Sequence, residues 1–457
     1  MLCHKIRGNI SRTSTQTISF IGDAALYLYL HGGNVIVRHA IIHAKLYSLS
    51  STQPPLRGRE LRTLEILPDG ALVMDHGVII ALGTTTEILS QNQFDTVIDV
   101  QGRIVIPGFV DCHTHLPFAD WRADEYRRRL FGQQYQEIAR EKGGITRSSL
   151  QLGARSDAEV AQFTEQLVYE MLTTGTTTLE MKSGYGLSVE SELRQLRLIS
   201  DWKLSLDQRI SATGLFLHAV PPGLSRQEWL AIVRNDLLPR AEEERLIDAI
   251  DAFIEETAFS PQEVEPVLQD ALRHNIPIRL HTDQFTNMGG TSLGLTYHAR
   301  GIDHLDHLAD QDITRFASSN SVAVLLPGAS YSMNHTPHPP ARRLIEAGAA
   351  IALATDFNPG TAPISSMPLI ISLAVHLYGL TPEEALAATT INAAYVLGLD
   401  KEVGSLAIGK RADVLILDSD QLESIPYRAG HNPVSQVFVR GNPVTLRAVA
   451  SDNNRPL

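Results

Sequence analysis

The sequence predicts an α/β protein, a (β/α)8 TIM-like barrel with a small β-sandwich domain built from both chain ends. Three observations predict it. Between residues 104 and 398, eight short apolar runs (104–111, 176–182, 210–218, 249–255, 277–281, 302–305, 322–326 and 350–356) alternate with stretches of helical periodicity, among them 156–173, 189–203, 260–274 and 382–397. Repeated strand–helix units make a parallel sheet with crossover helices, and eight of them favour a closed barrel. On either side the pattern changes to short runs broken by Gly, Asp and Asn, at 35–37, 40–46, 70–74, 77–82 and 97–100, then at 404–406, 409–418 and 437–441. These read as strands of one small domain to which both ends contribute. Lastly, polar residues close the barrel runs at the same end of each, where a barrel places its chemistry. The expected division is an appendage over 1–34, a composite β-sandwich over 35–103 and 399–457, and the barrel over 104–398.

The 457 residues carry a net charge of −12, with 43% hydrophobic and 20% charged residues. No apolar run approaches the ~18 residues of a membrane span, and no basic block could track phosphates, so neither membrane nor nucleic acid is an expected partner. Only Cys3 and Cys112 occur, too few for a disulfide framework or a Cys-based zinc site, and the expected compartment is the reducing cytoplasm. Lys5, Arg7 and Arg12 ahead of the apolar stretch 18–30 imitate a signal peptide. Asp23 interrupts that stretch and no small-residue cleavage site follows, so 1–34 reads as an appendage without an assigned role. The polar segment 48–60, with Pro54-Pro55, reads as a loop.

The first barrel strand is the most informative. Val105-Ile106-Pro107-Gly108-Phe109-Val110-Asp111-Cys112-His113-Thr114-His115 is an apolar run, a Pro-Gly break and two histidines two residues apart, so both imidazoles leave one face. Zinc-like ions take neutral imidazoles, and a catalytic site keeps one position open for water, so later strands must supply one or two more ligands. The candidates end the other runs: Tyr185 after the second, His218 at the third, His281 at the fifth, His304 at the sixth and Asp356 at the eighth. Arg122, seven residues past His115, is a planar and permanently charged fork suited to a carboxylate. Tyr185 lies between glycines on a strand-end loop, where little core packing is available.

The Pro-Gly-Phe-Val-Asp prefix and its two histidines resemble the first barrel strand of the amidohydrolase superfamily. Four further blocks are more specific: residues 118–125 (Phe-Ala-Asp-Trp-Arg-Ala-Asp-Glu), Gly143-Gly144-Ile145, residues 180–187 (Glu-Met-Lys-Ser-Gly-Tyr-Gly-Leu) and Asp356-Phe357-Asn358-Pro359-Gly360. With them the chain, from about residue 35 to its end, resembles the imidazolonepropionase family of that superfamily. The resemblance implies a hydrolase of histidine degradation with one metal ion, zinc or iron, held by His113, His115, His281 and Asp356. It implies that Arg122, Tyr135, Tyr185 and His218 hold the substrate, and that Asn358, Gly360 and Thr361 belong to a loop contacting substrate or product. The implied partner is a small-molecule substrate, 4-imidazolone-5-propanoate, opened at its ring amide to N-formimidoyl-L-glutamate; pairing into a homodimer is left open.

In that reading Asp356, a ligand beside the attacking water, takes a proton and passes it to the departing ring nitrogen, while His304 or a neighbour of His281 polarises the carbonyl oxygen. Gln284 stands where some relatives carry glutamate; a carboxamide hydrogen-bonds the substrate but cannot shuttle a proton, which moves acid–base work to Asp356, His304 or Asp283. His304 also has a structural reading, paired to Asp303 or Asp306. Binuclear members bridge two metals with a carboxylated lysine at the end of the fourth strand, where this chain has Ile254-Glu255-Glu256, so one metal is expected. The extra histidines of 331–340 read as a solvated rim loop. Two rivals remain: another mononuclear amidohydrolase, such as a cyclic amidine deaminase or cyclic amide hydrolase, and a non-catalytic barrel whose metal is closed off by four protein ligands.

Overall fold

The computed structural model describes residues 16–18, 38–50, 53–91, 93–133 and 135–445, with the backbone alone at 16–18, 135, 136 and 139. Eight parallel strands pair in chain order: β1 (Phe109–Asp111), β2 (Thr176–Lys182), β3 (Arg209–Leu217), β4 (Ala249–Ile254), β5 (Arg279–Thr282), β6 (Gly301–His304), β7 (Val322–Leu325) and β8 (Ala350–Leu353). Apart from Arg209 they are buried from end to end, as parallel strands covered by helices are. Alternation sorts their side chains: Leu179 and Met181 of β2 and Ile250 and Ala252 of β4 join the outer core under the helices. Glu180, Lys182 and Asp251, on the opposite face, point into the barrel. Four of the helices begin with the same reciprocal cap, Ser156 with Glu159, Ser225 with Glu228, Ser260 with Glu263 and Thr381 with Glu384.

Past the ends of β1 and β8 the chain closes the barrel. His115 N–H donates to Phe357 O at 2.9 Å and Asp356 N–H to His113 O at 3.0 Å. Just before them the Asp111 carboxylate accepts from Thr355 N at 3.1 Å and Thr355 Oγ1 at 2.6 Å. The seam therefore lies at three of the four residues expected to hold a metal.

The expected first strand, 104–111, is two strands. Ile104–Pro107 belongs to the small sheet and only Phe109–Asp111 to the barrel. Gly108 is the pivot: its N–H donates to Asp413 O at 2.9 Å, and a Cβ there would fall inside van der Waals contact of the Thr177 side chain. The expected helix 382–397 is likewise two, Pro382–Ala388 and Ile391–Leu397. Between them the Thr389 and Thr390 hydroxyls donate to the Ala385 and Leu386 carbonyls, at 2.8 and 2.5 Å, and Thr390 leaves helical geometry (φ −128°, ψ −93°).

The small domain is a nine-stranded branched sheet with His39–Tyr47 at its centre. That strand pairs with Ile66–Asp75 on one edge and, in succession, with Thr96–Asp99 and Ile104–Pro107 on the other. Ile104–Pro107 then takes Val414–Leu417, followed by Val434–Val439, so both chain ends share one sheet and close on a core of Leu72, Met74, Val105, Val414 and Phe438. The run at 404–406 is a bend rather than a strand, and 35–37 lies outside the described residues. Of the appendage only Gln16–Ile18 is described, a strand beside Thr96–Asp99. Among the described residues no helix is long and apolar enough to cross a membrane.

Candidate active site

At the C-terminal mouth of the barrel, nitrogen and oxygen donors from β1, β5 and β8 converge. Asp356 Oδ1 lies 3.3 Å from His113 Nε2 and 3.2 Å from His115 Nε2, and His115 Nε2 lies 3.3 Å from His281 Nε2. Ligands about 2.0–2.1 Å from a common tetrahedral centre would stand about 3.3–3.4 Å apart, so these separations are those of a coordination shell. His113 Nε2 is buried without a hydrogen-bond partner among the described residues, which a metal bond would satisfy. His115, His281 and Asp356 line a cavity and His113 does not, so one face of such a shell opens to the cavity. An open face fits catalysis rather than a closed structural site. Asp356 (φ 54°) and His304 (φ 80°) adopt left-handed backbone where their strands give way to loops, a strain tolerated at a site the surroundings over-determine.

The Nδ1 atoms of His113 and His281 face buried carboxylates, Asp303, which the sequence placed beside His304, and Asp251, which it did not single out; His115 Nδ1 has no hydrogen-bond partner among the described residues. His113 Nδ1 meets Asp303 Oδ2 at 2.6 Å, and His281 Nδ1 meets Asp251 Oδ2 at 2.9 Å. A carboxylate on Nδ1 fixes the tautomer that leaves Nε2 as an electron-pair donor. Arg279 bonds Asp303 at 3.0 Å and also Glu180; Lys182 lies 2.8 Å from Asp251 and 3.2 Å from Glu180. Burial works against these charges, yet His281 and Lys182 hold Asp251 well below the carboxylate range, and Asp251 and Glu180 hold Lys182 above its usual value. Lys182 thus stands as a cation among buried carboxylates. Asp303 thus serves His113, and Asp306 accepts from Ser330 at 3.1 Å, so neither supports the structural reading of His304. His304 Nδ1 has no partner among the described residues, and burial lowers its pKa to about 4, which leaves a neutral imidazole near pH 7. The signal for Glu180, Asp251, Arg279 and Asp303 was charge at inward positions of strands that are otherwise apolar.

Burial pushes Asp356 upward, but the His113 and His115 rings beside its Oδ1 bring it far below the carboxylate range. It is the one carboxylate among the described residues that line the cavity. Asp283 is turned away, its carboxylate accepting from Thr291 at 2.6 Å and Thr282 at 3.0 Å. Gln284 does line the cavity, and its backbone oxygen accepts from His335 Nε2 at 2.9 Å. The rim segment 331–340 thus packs against the site at His335, which is half-buried, instead of standing in solvent.

Arg122, Tyr185, His218, Asn358 and Thr361 line the same cavity. His218 Nδ1 donates to Gly184 O at 2.9 Å, so Nε2 is left as an acceptor, and its ring stacks on His115 with centroids 5.1 Å apart. The buried Arg122 guanidinium donates to Ser148 Oγ at 3.3 Å through Nη1, and its Nε lies 3.5 Å from Glu125 Oε2. Asn358 Oδ1 is occupied by its own loop, accepting from Gly360 N at 2.9 Å and Thr361 N at 2.7 Å. Gly360 does not line the cavity; it backs Arg122, and any side chain there would collide with the guanidinium. The Tyr135 backbone opens a short helix, Tyr135–Arg140, and its side chain lies outside the described residues.

Fold and donors together define a metal-dependent hydrolase barrel, and the chain belongs to the amidohydrolase family, whose model matches residues 104–444. Solved structures share the architecture: an adenosine deaminase from Xanthomonas campestris with bound zinc (TM-score 0.64, 20% identity, 89% of this chain and 92% of that one) and the guanine deaminase of E. coli (TM-score 0.68, 16% identity, 90% and 99%). Curated relatives narrow the class. An imidazolonepropionase of Symbiobacterium thermophilum is 41% identical over 393 residues, 85% of this chain and 92% of its own, and one of Brucella anthropi is 37% identical over 397 residues, 86% and 98%. Within the amidohydrolases the chain is a member of the imidazolonepropionase family.

Proposed function

We propose that the protein opens the ring amide C–N bond of 4-imidazolone-5-propanoate to N-formimidoyl-L-glutamate, in the cytoplasm, using one metal ion, zinc or iron, held by His113, His115, His281 and Asp356. The observation that carries the site assignment is the set of donor separations, 3.2–3.3 Å, at the barrel mouth. In this reading residues 104–398 form the catalytic barrel, with 35–103 and 399–457 as its composite companion. A bound zinc or iron ion supplies Lewis acidity and lowers the pKa of water towards neutrality.

The chain's own residues do the rest. Arg122 binds the propionate, its guanidinium steadied by Ser148 and by Glu125. His218 Nε2 accepts from a ring N–H, and the Gln284 carboxamide hydrogen-bonds the ring. Tyr185 lines the cavity, and Tyr135 is assigned to substrate holding by family resemblance alone. Asn358 and Thr361 hold the loop after Asp356 in place, and Gly360 leaves room for Arg122. Neutral His304 donates an N–H to the carbonyl oxygen as negative charge develops there. Asp356 takes the proton of the attacking water and delivers it to the departing ring nitrogen, because no other carboxylate among the described residues faces the cavity. Metal content and hydrolysis of 4-imidazolone-5-propanoate, measured on one preparation, test the proposal. A fully metal-loaded protein that leaves this compound intact, or that instead deaminates a cyclic amidine, would overturn it.

A further inference from the structure

Beneath the donors lies a buried charged cluster that the reaction above does not use. Glu180, Lys182, Asp251, Arg279 and Asp303 come from four strands, and all are fully or almost fully buried. Lys182 is the cation at its centre: its ammonium lies 2.8 Å from Asp251 Oδ2, 3.2 Å from Glu180 Oε2 and 3.4 Å from His113 Nδ1. Two groups of donors that could hold an ion lie at the mouth, His113 with His115 and His281, and His113 with His304 and Asp356. A third, Asp251, His281 and Asp303, with donor atoms within 4.8 Å of one another, lies on the inner side of His281. That side is where the ammonium stands.

We infer that Lys182 is a positioning residue whose ammonium occupies the place of a second cation, holding Asp251 against His281 so that His281 Nε2 faces the metal. Asp251 Oδ2 accepts from Lys182 Nζ at 2.8 Å and lies 2.9 Å from His281 Nδ1. Without the ammonium, Asp251 would sit in a dry interior beside Glu180 and Asp303 with less cationic charge to oppose them, and the carboxylates would repel one another and separate. That separation loosens the His281 ring, because the group beside Nδ1 sets its direction. Arg279 cannot take over, since its guanidinium is spread between Glu180 and Asp303 on the His113 side. A covalently attached cation also explains how acidic groups reach beneath the site without a second metal.

The test is metal affinity, measured by chelator competition on purified protein, together with the visible spectrum of the cobalt-substituted form. Lys182→Met is expected to weaken affinity by roughly 10- to 100-fold, the range for losing an outer partner of a ligand, and to change the cobalt spectrum. Lys182→Arg, which keeps the charge, is expected to recover most of the loss. If Lys182→Met does not fold, Lys182→Met/Asp251→Asn removes the opposed charges together, and the same loss of affinity is expected. Unchanged affinity and spectrum in whichever variant folds would overturn the inference, reducing Lys182 to a neutraliser of buried charge. The inference rests on His281 as a ligand, and the outcomes separate the two: metal retained in His281→Ala defeats the ligand assignment, whereas metal lost there but kept in the Lys182 variants defeats only the role of Lys182.

Discussion

On one wall of the cavity His115, His281 and Asp356, with His113 behind them, stand at or just beyond barrel strands, and buried charges back the rings of His113 and His281; on the other, Arg122, Asn358 and Thr361 come from loops that hold one another. The two walls obey different physics. The donor wall is set by the barrel seam and by carboxylates on the far ring nitrogens, so its atoms are placed by groups that cannot move without exposing charge to a dry interior. The binding wall is set by backbone hydrogen bonds, such as Arg122 N–H to Pro359 O at 3.0 Å and the Asn358 side chain to its own loop. In the proposed reading, metal geometry belongs to the barrel, and substrate choice to connections that can change without disturbing it.

The largest expected effect breaks the donor wall. His281→Ala or Asp356→Ala removes a direct metal bond, so metal and activity are expected to disappear together, with an affinity loss beyond the roughly 10- to 100-fold of an outer partner. Full metal content in the His281→Ala protein by elemental analysis would refute the ligand set. Next comes the binding wall. Arg122→Met should keep the metal but lose a charge-assisted pair of roughly 1.5–3 kcal/mol, a fall in kcat/KM of about ten- to a hundredfold. An imidazolone lacking the propionate should be a poor substrate for the original protein and indifferent to the substitution. Equal losses on both compounds would show that Arg122 supports the fold instead of the carboxylate.

Two smaller effects sharpen the contrast. Glu255 is buried like Asp251 but has no buried cation at its side; it accepts from Thr286 N at 2.8 Å and Phe285 N at 3.4 Å, holding the loop that follows Gln284. Burial pushes its pKa to about 7, whereas Asp251 is pulled down by Lys182 and His281. Because the folded value lies above the unfolded 4.5, the folded state binds the extra proton between about pH 4.5 and 7, and Glu255 costs stability as pH rises through that window. Glu255→Gln should therefore gain up to roughly 3 kcal/mol on the original protein between pH 5 and pH 8. Unfolding curves with the same difference at both pH values would contradict this. The smallest effect is at Gln284: Gln284→Glu should leave the fold intact and shift the pH profile of turnover, because it adds a titrating group beside the metal donors. A superimposable profile would place that side chain outside the reacting centre.

Much of the donor wall could be read from single strands. Two histidines at i and i+2 after an apolar run share a face whatever surrounds them, and a polar residue at the end of a barrel strand points to the mouth, so His113, His115, His281, His304 and Asp356 were all identifiable. The block around Tyr185 and the loop after Asp356 were identifiable by resemblance. Strand ends were less legible: the run 104–111 carries one apolar pattern across Gly108, and only packing against Thr177 and Asp413 divides it between two sheets.

The chain's periodicity thus determined which side chains face inward, and the tertiary structure alone decided which of them meet. Lys182 and Asp251 are 69 residues apart, Glu180 and Arg279 99, and His113 and Asp303 190. A period of two gives a direction but no partner, since partnership depends on the stagger of strands around the closed barrel. For the same reason Glu180, Asp251, Arg279 and Asp303 read in isolation as unexplained charges in apolar strands, and become supports of the metal donors only once the barrel brings opposite charges within 3 Å or so of each other, where water cannot separate them.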